Sequence, residues 1–307
     1  MTNDSPEGLR LSEPAPAKVN LSLRVLGRRA DGYHELDSLV AFADCGDLVT
    51  IEPGGDFALS VSGPFAAALD GGNILEAAAR LFANVVPGAL LGRVELQKNL
   101  PVAAGLGGGS ADAAALLRLL CRLNPPSAHA HDWAALATRL GADVPVCLAS
   151  QPCRMTGIGE RLQHLDAMPK AAIVLVNPRV PLSTAAVFGS LGAAPLAQAP
   201  DIRPLPRFRD LAALVEFLAS EPNDLQPVAT RLCPPIADVL DKLRHAPRSR
   251  LVRMSGSGPT CFALFDTLAD ARAVAERLRA AEPGWWCAAA NLGAGLPADA
   301  AVRHAAT

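Results

Sequence analysis

The stretch Lys98–Leu120, KNLPVAAGLGGGSADAAALLRLL, carries the strongest local signal in the chain. Just before it, Val94 and Leu96 alternate with Glu95 and Gln97, the period of a half-buried strand. Gly105, Gly107, Gly108 and Gly109 then form a loop almost without side chains. Ala113, Ala114, Leu116, Leu117 and Leu120 follow at helical spacing, with Ser110 as the expected N-cap. A strand, a bare loop and a helix N-terminus together make an anion site. Glycine lets backbone N–H groups close on an oxyanion, and the first helical turn presents donors that lack intrahelical partners. Two common phosphate loops do not fit. A Walker loop ends in GKS or GKT, and this one ends in GGS. A dinucleotide fingerprint needs glycine where Ser110 stands and an acidic residue closing a second strand, where this chain reads HAHDW.

Working outward, 307 residues suffice for two domains, each with its own core. Half of the residues are hydrophobic and 19% are charged, a globular composition. A net charge of −2 argues against a nucleic-acid partner, so any attraction for phosphate must be local. The N-terminus lacks a basic region followed by an apolar core, and no apolar run is long enough to span a membrane. The seven cysteines are scattered without a CxxC pair, as expected of reduced thiols in a cytoplasmic protein. His129 and His131, beside Asp132, are read as a solvated loop rather than a metal site.

Residues 1–14 are expected to be a disordered leader. From Ala17, AKVNLSLRVLG alternates as one strand, which places Lys18 and Asn20 one pleat apart on its polar face. Tyr33, the one tyrosine, lies in a DG turn next to His34. LVTIE (48–52) and FALSV (57–61) read as strands around a Pro-Gly-Gly turn. Asn73 is placed to cap a helix carrying Ile74, Ala78, Leu81, Phe82 and Val85. Asp132 is placed to cap WAALATRL, with Gly141 ending that helix. Pro145 disfavours helical geometry at Val144, which leaves Asp143 in a constrained connection. Further on, 192–207 reads as a loop, with helices at 208–219, 236–243 and 268–281. Strands are expected at 171–178, LVRM, CFALF and WWCAA. SGSGPT (255–260) offers either a second set of backbone donors or a tight turn. The thinnest point, at 160–170, suggests domains 1–165 and 166–307.

Four segments, PAKVNLSLRVLGRRADGYHEL, LPVAAGLGGGSADAA, GADVPV and MSGSGPTCFALF, stand in one order that resembles the GHMP kinases. NDL (223–225) and STAAVF (183–188) also look like that family, and the likeness runs from about Ala15 to about Ala290. The resemblance implies an α+β fold of two domains with the active site in the cleft between them. It implies ATP as phosphoryl donor, Mg²⁺ with it, and a small-molecule acceptor alcohol carrying a cytidine diphosphate group. DGYHEL separates this reading from family members acting on mevalonate, homoserine or a sugar. Lys18 and Asp143 match the family's catalytic pair. Asn73, Lys98, Pro101, Ala103, Gly105, Leu106, Gly107, Gly108, Gly109 and Ser110 match nucleotide positions. Asn20, Tyr33, His34 and Phe188 match acceptor positions. Glu76 departs from the pattern, since a basic residue is commoner there.

In chemical terms, phosphoryl transfer needs positioning and charge neutralisation more than covalent help. Asp143 is the candidate to take the acceptor's proton, and Lys18 the cation that keeps it ionised. Asp112, just inside the helix, is expected to turn away from the nucleotide, whose charge would repel it. Ser110 and Asp143 are candidate Mg²⁺ contacts, with no dedicated carboxylate cage. The expected partners are small molecules, with no nucleic acid and no membrane, and the expected state is a monomer or weak homodimer. The opposing reading is a nucleotide sensor on the same fold, which retention of both Lys18 and Asp143 disfavours.

Overall fold

The computed structural model describes residues 10–293 apart from 70, 129, 166, 197, 199, 201 and 203. The reading of His129 therefore lies outside the described residues, as do those of residues 1–9 and of the tail beyond Gly293.

The first half runs β1 (Leu11–Asn20), β2 (Arg24–Arg28), β3 (His34–Pro53), β4 (Ala58–Ser62), α1 (Ile74–Val85), β5 (Gly92–Gln97) and α2 (Gly108–Leu123). Three short helices follow, α3 (Pro125–Ala128), α4 (Trp133–Ala137) and α5 (Val144–Ala149), and then the strands β6 (Cys153–Gly157) and β7 (Arg161–His164). The second half runs β8 (Ala171–Asn177), α6 (Thr184–Gly189), α7 (Leu211–Ser220), α8 (Gln226–Leu232), α9 (Pro235–Arg244), β9 (Leu251–Met254), β10 (Cys261–Phe265), α10 (Leu268–Ala281) and β11 (Trp286–Leu292). The strands form one mixed sheet whose main path is β4-β5-β3-β11-β8-β10-β9. β11 joins the halves, pairing with β8 along its length and touching β3 at Leu292–Ala43.

Several expectations are corrected. Leu11–Pro14, read as leader, begin β1, which pairs antiparallel with β3. Pro14 and Pro16 are tolerated because, among the described residues, β1 has no ladder on its other side. The alternating run from Ala17 is two strands rather than one. At Ser22 the ladder gives way to side-chain bonds: Leu39 N–H donates to Ser22 Oγ at 3.1 Å, and Ser38 Oγ donates to the Ser22 carbonyl at 2.5 Å. LVTIE is only the end of β3, a strand of 20 residues. Its middle is buried on both faces and so shows no alternation. β3 and β4 do not pair with each other, because β5 lies between them, antiparallel to β3 and parallel to β4.

The helix following the glycine loop is the centre of the first core. α2 buries a continuous run from Ala111 to Cys121, packed with α1 residues Leu75, Ala78, Ala79 and Phe82 and with the inner face of β3. Its N-cap is Gly107, in the left-handed region at φ 62°, and not Ser110, which lies inside the first turn. Arg118, fully buried, joins three elements. Its Nε donates to Glu13 at 2.6 Å, and its other nitrogens donate to the carbonyls of Pro14, Cys147 and Leu148. β1, α2 and α5 are thereby held at one point.

Asn73 and Asp132 cap α1 and α4 as expected, accepting from Leu75 N–H and from the Ala134 and Ala135 N–H groups. α4 ends at Ala137, four residues before Gly141. Asp143 sits immediately before α5, with Pro145 in the first turn. Proline there loses no hydrogen bond, so it starts the helix instead of breaking the chain. α10 occupies 268–281 as read, whereas α8 went unread. No helix among the described residues is long and apolar enough to cross a membrane.

Candidate active site

The ends of β1 and β3, the glycine loop, the start of α5, α6 and the Gly256–Ser257 turn enclose a cavity of about 1070 Å³. Of the sixteen residues singled out above, all but Leu106 line it. Leu106 is buried in the core, and its carbonyl accepts the Lys18 N–H at 2.9 Å, which fastens the loop to β1.

The glycine loop is bare for two different reasons. At Gly105 (φ +73°) a Cβ would stand 2.7 Å from the carbonyl oxygens of Ser255 and Gly258, so the second loop leaves no room for a side chain. Ser255 completes that contact. Its Oγ donates to the Gly105 carbonyl at 3.0 Å and accepts the Asn20 N–H at 3.1 Å. SGSGPT therefore shapes the cleft by holding the first loop. Gly107 instead needs its positive φ to turn into α2. Beyond it, the first-turn amides at 108–110 lack intrahelical acceptors and stand on the wall of the cavity.

Beneath the loop lies a buried trio. Lys98 Nζ donates to Asp47 Oδ2 at 2.5 Å and to Asp112 Oδ2 at 2.6 Å. Asp112 thus turns to Lys98 beneath the loop, at the border of the cavity. Its Oδ1 is buried without a hydrogen-bond partner. Asp47 also accepts the N–H groups of Asn99 and Leu100. Burial pushes the Asp112 carboxyl up to about 8 against the pull of Lys98, and Asp47 adds to the rise. Asp47 was missed in the sequence; a lone acid opening the apolar run LVTI was the available signal.

In the middle of the cavity Lys18 Nζ donates to Asp143 Oδ2 at 2.8 Å. The Lys18 side chain is nearly enclosed, while that of Asp143 is 35% exposed and faces the space. Asn20 is buried, and its Nδ2 donates to Ser38 Oγ at 2.7 Å.

At the other end, the Tyr33 N–H donates to Asp31 Oδ1 in the DG turn, and the tyrosine ring stands at the rim, 61% exposed. It is His34, not Tyr33, that meets Phe188, with ring centroids 5.1 Å apart and planes at 33°. Burial and the nearby charge of Arg28 lower the His34 pKa, so its imidazole is neutral near pH 7. Arg28, Thr184 and Ser257 also line this end and were not foreseen; Thr184 and Ser257 share a hydrogen bond of 2.8 Å. Glu76 does not reach the wall.

With this geometry in view, two family models match the chain. The one described as "GHMP kinases N terminal domain" covers residues 73–151, and "GHMP kinases C terminal" covers 201–284. The chain belongs to the GHMP kinase family and has its two-domain mixed α/β fold. A 4-diphosphocytidyl-2-C-methyl-D-erythritol kinase of Bradyrhizobium diazoefficiens is 50% identical over 291 residues, 92% of this chain and 98% of that one. The enzyme of the same name from Xanthobacter autotrophicus is 51% identical over 279 residues, 89% and 95% of the two chains. A crystal structure of 4-(cytidine 5'-diphospho)-2C-methyl-D-erythritol kinase superposes with a TM-score of 0.73 at 36% identity, covering 93% of this chain and all (100%) of that one. L. major mevalonate kinase, at 14% identity and a TM-score of 0.62 over 97% and 99% of the two chains, shares the fold.

Proposed function

We propose that this chain transfers the γ-phosphoryl group of ATP to the 2-hydroxyl of 4-diphosphocytidyl-2-C-methyl-D-erythritol, giving the 2-phosphate and ADP. That is a step of isoprenoid precursor synthesis by the methylerythritol phosphate route. The observation that carries the reading is the Lys18–Asp143 pair, set between a phosphate loop and an aromatic end in one cavity.

The first-turn amides of α2 receive the ATP phosphates, where the helix dipole favours negative charge. Asp143 Oδ2 is engaged by Lys18, which leaves Oδ1 to accept the proton of the attacking hydroxyl. The Lys18 ammonium holds the base in place and adds positive charge beside the transferring group. For Mg²⁺ the fit is one of donor type. The Ser110 hydroxyl is a hard oxygen donor on the cavity wall, the Asp143 carboxylate being taken up by Lys18 and the acceptor's proton, and no group of three or more metal-ligating side chains exists among the described residues. Ser110 would hold the ion together with phosphate oxygens, where it would neutralise phosphoryl charge. Tyr33, His34 and Phe188 take the cytosine, and Asn20 the tetrol. In this reading residues 1–165 supply the phosphate loop and catalytic pair, and 166–307 supply Phe188 and the Gly256–Ser257 turn. The residues assigned here all come from one chain, and we read the enzyme as a cytoplasmic monomer or weak homodimer.

ADP release tested with the cytidylyl acceptor, mevalonate, homoserine and galactose decides the matter. Turnover is expected with the cytidylyl acceptor alone. Equal turnover with any of the others, or none with all, overturns the proposal.

A further inference from the structure

Both substrates of the proposed reaction are polyanions, so the cations of the cavity must be accounted for. Three line it: Lys18, Lys98 and Arg28. Lys18 is committed to Asp143, and Lys98 to Asp47 and Asp112. Arg28 is exposed, and among the described residues its guanidinium has no carboxylate partner. Its neighbour Arg29 is different, being bound to Asp31 and Glu35.

The position of Arg28 is well defined although its side chain is free. It ends β2 directly opposite His34 on β3. Residues directly opposite across an antiparallel pair project from the same face, so Arg28 leaves the sheet on the side of the His34–Phe188 contact. Its backbone is fixed on the outer edge as well. Arg28 N–H donates to the Ala194 carbonyl at 2.8 Å, and its own carbonyl accepts the Leu196 N–H at 2.8 Å. A shallow hollow formed by Arg28, Arg29, Gly32, Pro195 and Leu196 continues from the cavity at this point. An unpaired guanidinium on a rigid strand end, next to an aromatic pocket, suits a planar two-point contact with a phosphate.

We propose that Arg28 is a specificity residue that binds the diphosphate of the acceptor, next to the pocket that holds its cytosine. This rests on the cytidylyl-acceptor reading above. Arg28 discriminates a nucleoside diphosphate from a bare nucleoside, and it takes no part in the phosphoryl transfer itself. His34, kept neutral chiefly by burial, presents one ring nitrogen as acceptor and one as donor to the base edge.

The test is calorimetric titration of the full chain with cytidine and with CDP, ADP being present at saturation to occupy the nucleotide end. Wild type is expected to bind CDP at least about tenfold more tightly than cytidine. That preference should shrink as ionic strength rises. In Arg28→Gln, cytidine affinity should be unchanged and the CDP preference lost. Arg28→Lys should retain part of it, because a point charge replaces the two-point fork. In turnover, Arg28→Gln should raise the KM of the acceptor with kcat and the KM of ATP unchanged. A CDP preference that survives in Arg28→Gln overturns the proposal, as does an equal loss of cytidine and CDP affinity. If wild type binds neither cytidine nor CDP, the acceptor reading has failed as well, and that result is distinct from either of the others.

Discussion

Lys18 Nζ and Asp143 Oδ2 stand 2.8 Å apart across 125 residues of chain. The lysine comes from the end of β1, and the aspartate from the residue before α5. Both elements are held to α2 by the single buried side chain of Arg118. The geometry of the pair is therefore a property of the packed core. Asp143→Asn keeps the shape and removes the carboxylate proposed as the base. We expect kcat to fall by ~10²–10⁴ with both KM values within about threefold of wild type. Steady-state kinetics checks this, and more than about a third of wild-type kcat would remove Asp143 from the base role.

Gly108 opens α2, and a Cβ built there would lie 3.1 Å from Lys98 Nζ. Gly108→Val adds two further carbons against Lys98, Asp47 and Leu100, which displaces the first turn whose amides border the cavity. ATP affinity should drop at least about tenfold, the loss of one charge-assisted hydrogen bond or more. Acceptor affinity should not change. Titration with a non-hydrolysable ATP analogue measures the first, and an unchanged affinity would take the phosphates away from this loop.

Phe188 meets His34 at 5.1 Å, and Tyr33 stands at the rim beside them. A cytosine entering here would stack on Phe188 and be covered by Tyr33. Each stacked face contributes ~1–3 kcal/mol. Phe188→Ala and Tyr33→Ala should each raise the KM of the cytidylyl acceptor by about five- to a hundredfold, leaving the KM of ATP unchanged. Free methylerythritol phosphate, which lacks the base, should be used no worse by the variants than by wild type. If discrimination between the two acceptors survives in both variants, the base lies elsewhere.

The Asp112 carboxyl, pushed up to about 8 by burial, gives a pH signature in stability. An unfolded chain releases this proton near pH 4, whereas the folded chain keeps it until about pH 8. Between those values the folded state binds more protons than the unfolded state, so stability falls as pH rises and levels off above the folded value. Asp112→Asn abolishes the titration with little change of shape. Urea midpoints at pH 5 and pH 8 should show a decline in wild type that is smaller in the variant. Equal declines would assign the effect to other groups.

Much of this was legible in the chain because it is local. Gly107 needs a positive φ that its own turn into α2 imposes. The caps at Asn73 and Asp132 act within three residues, and the bounds of α10 follow from its own pattern. Lys18 and Asn20 came to one face of a strand by period alone, whatever the strand would pair with. Asp143 was picked out by its place in GADVPV, a motif of six residues.

Other features belong to the tertiary structure alone. The middle of β3 is covered on both faces, so burial erased the alternation by which a strand is read. Arg118 in the sequence is one basic residue in an apolar helix. Only the fold brings Glu13 and three carbonyls to it, which is what allows a guanidinium to be fully buried. Asp112 would be repelled by a nucleotide phosphate if it stood alone, and it turns inward because Lys98 arrives just past the end of β5 and Asp47 from β3. Ser110 has the chemistry of a cap but yields that place to Gly107, since the chain must bend at φ 62° to pass from the loop into α2. Sequence determined the residue types and short-range turns of the site, because these depend on neighbours in the chain. Tertiary structure decided which charges meet, because the partners lie tens to more than a hundred residues apart and only burial makes their pairing obligatory.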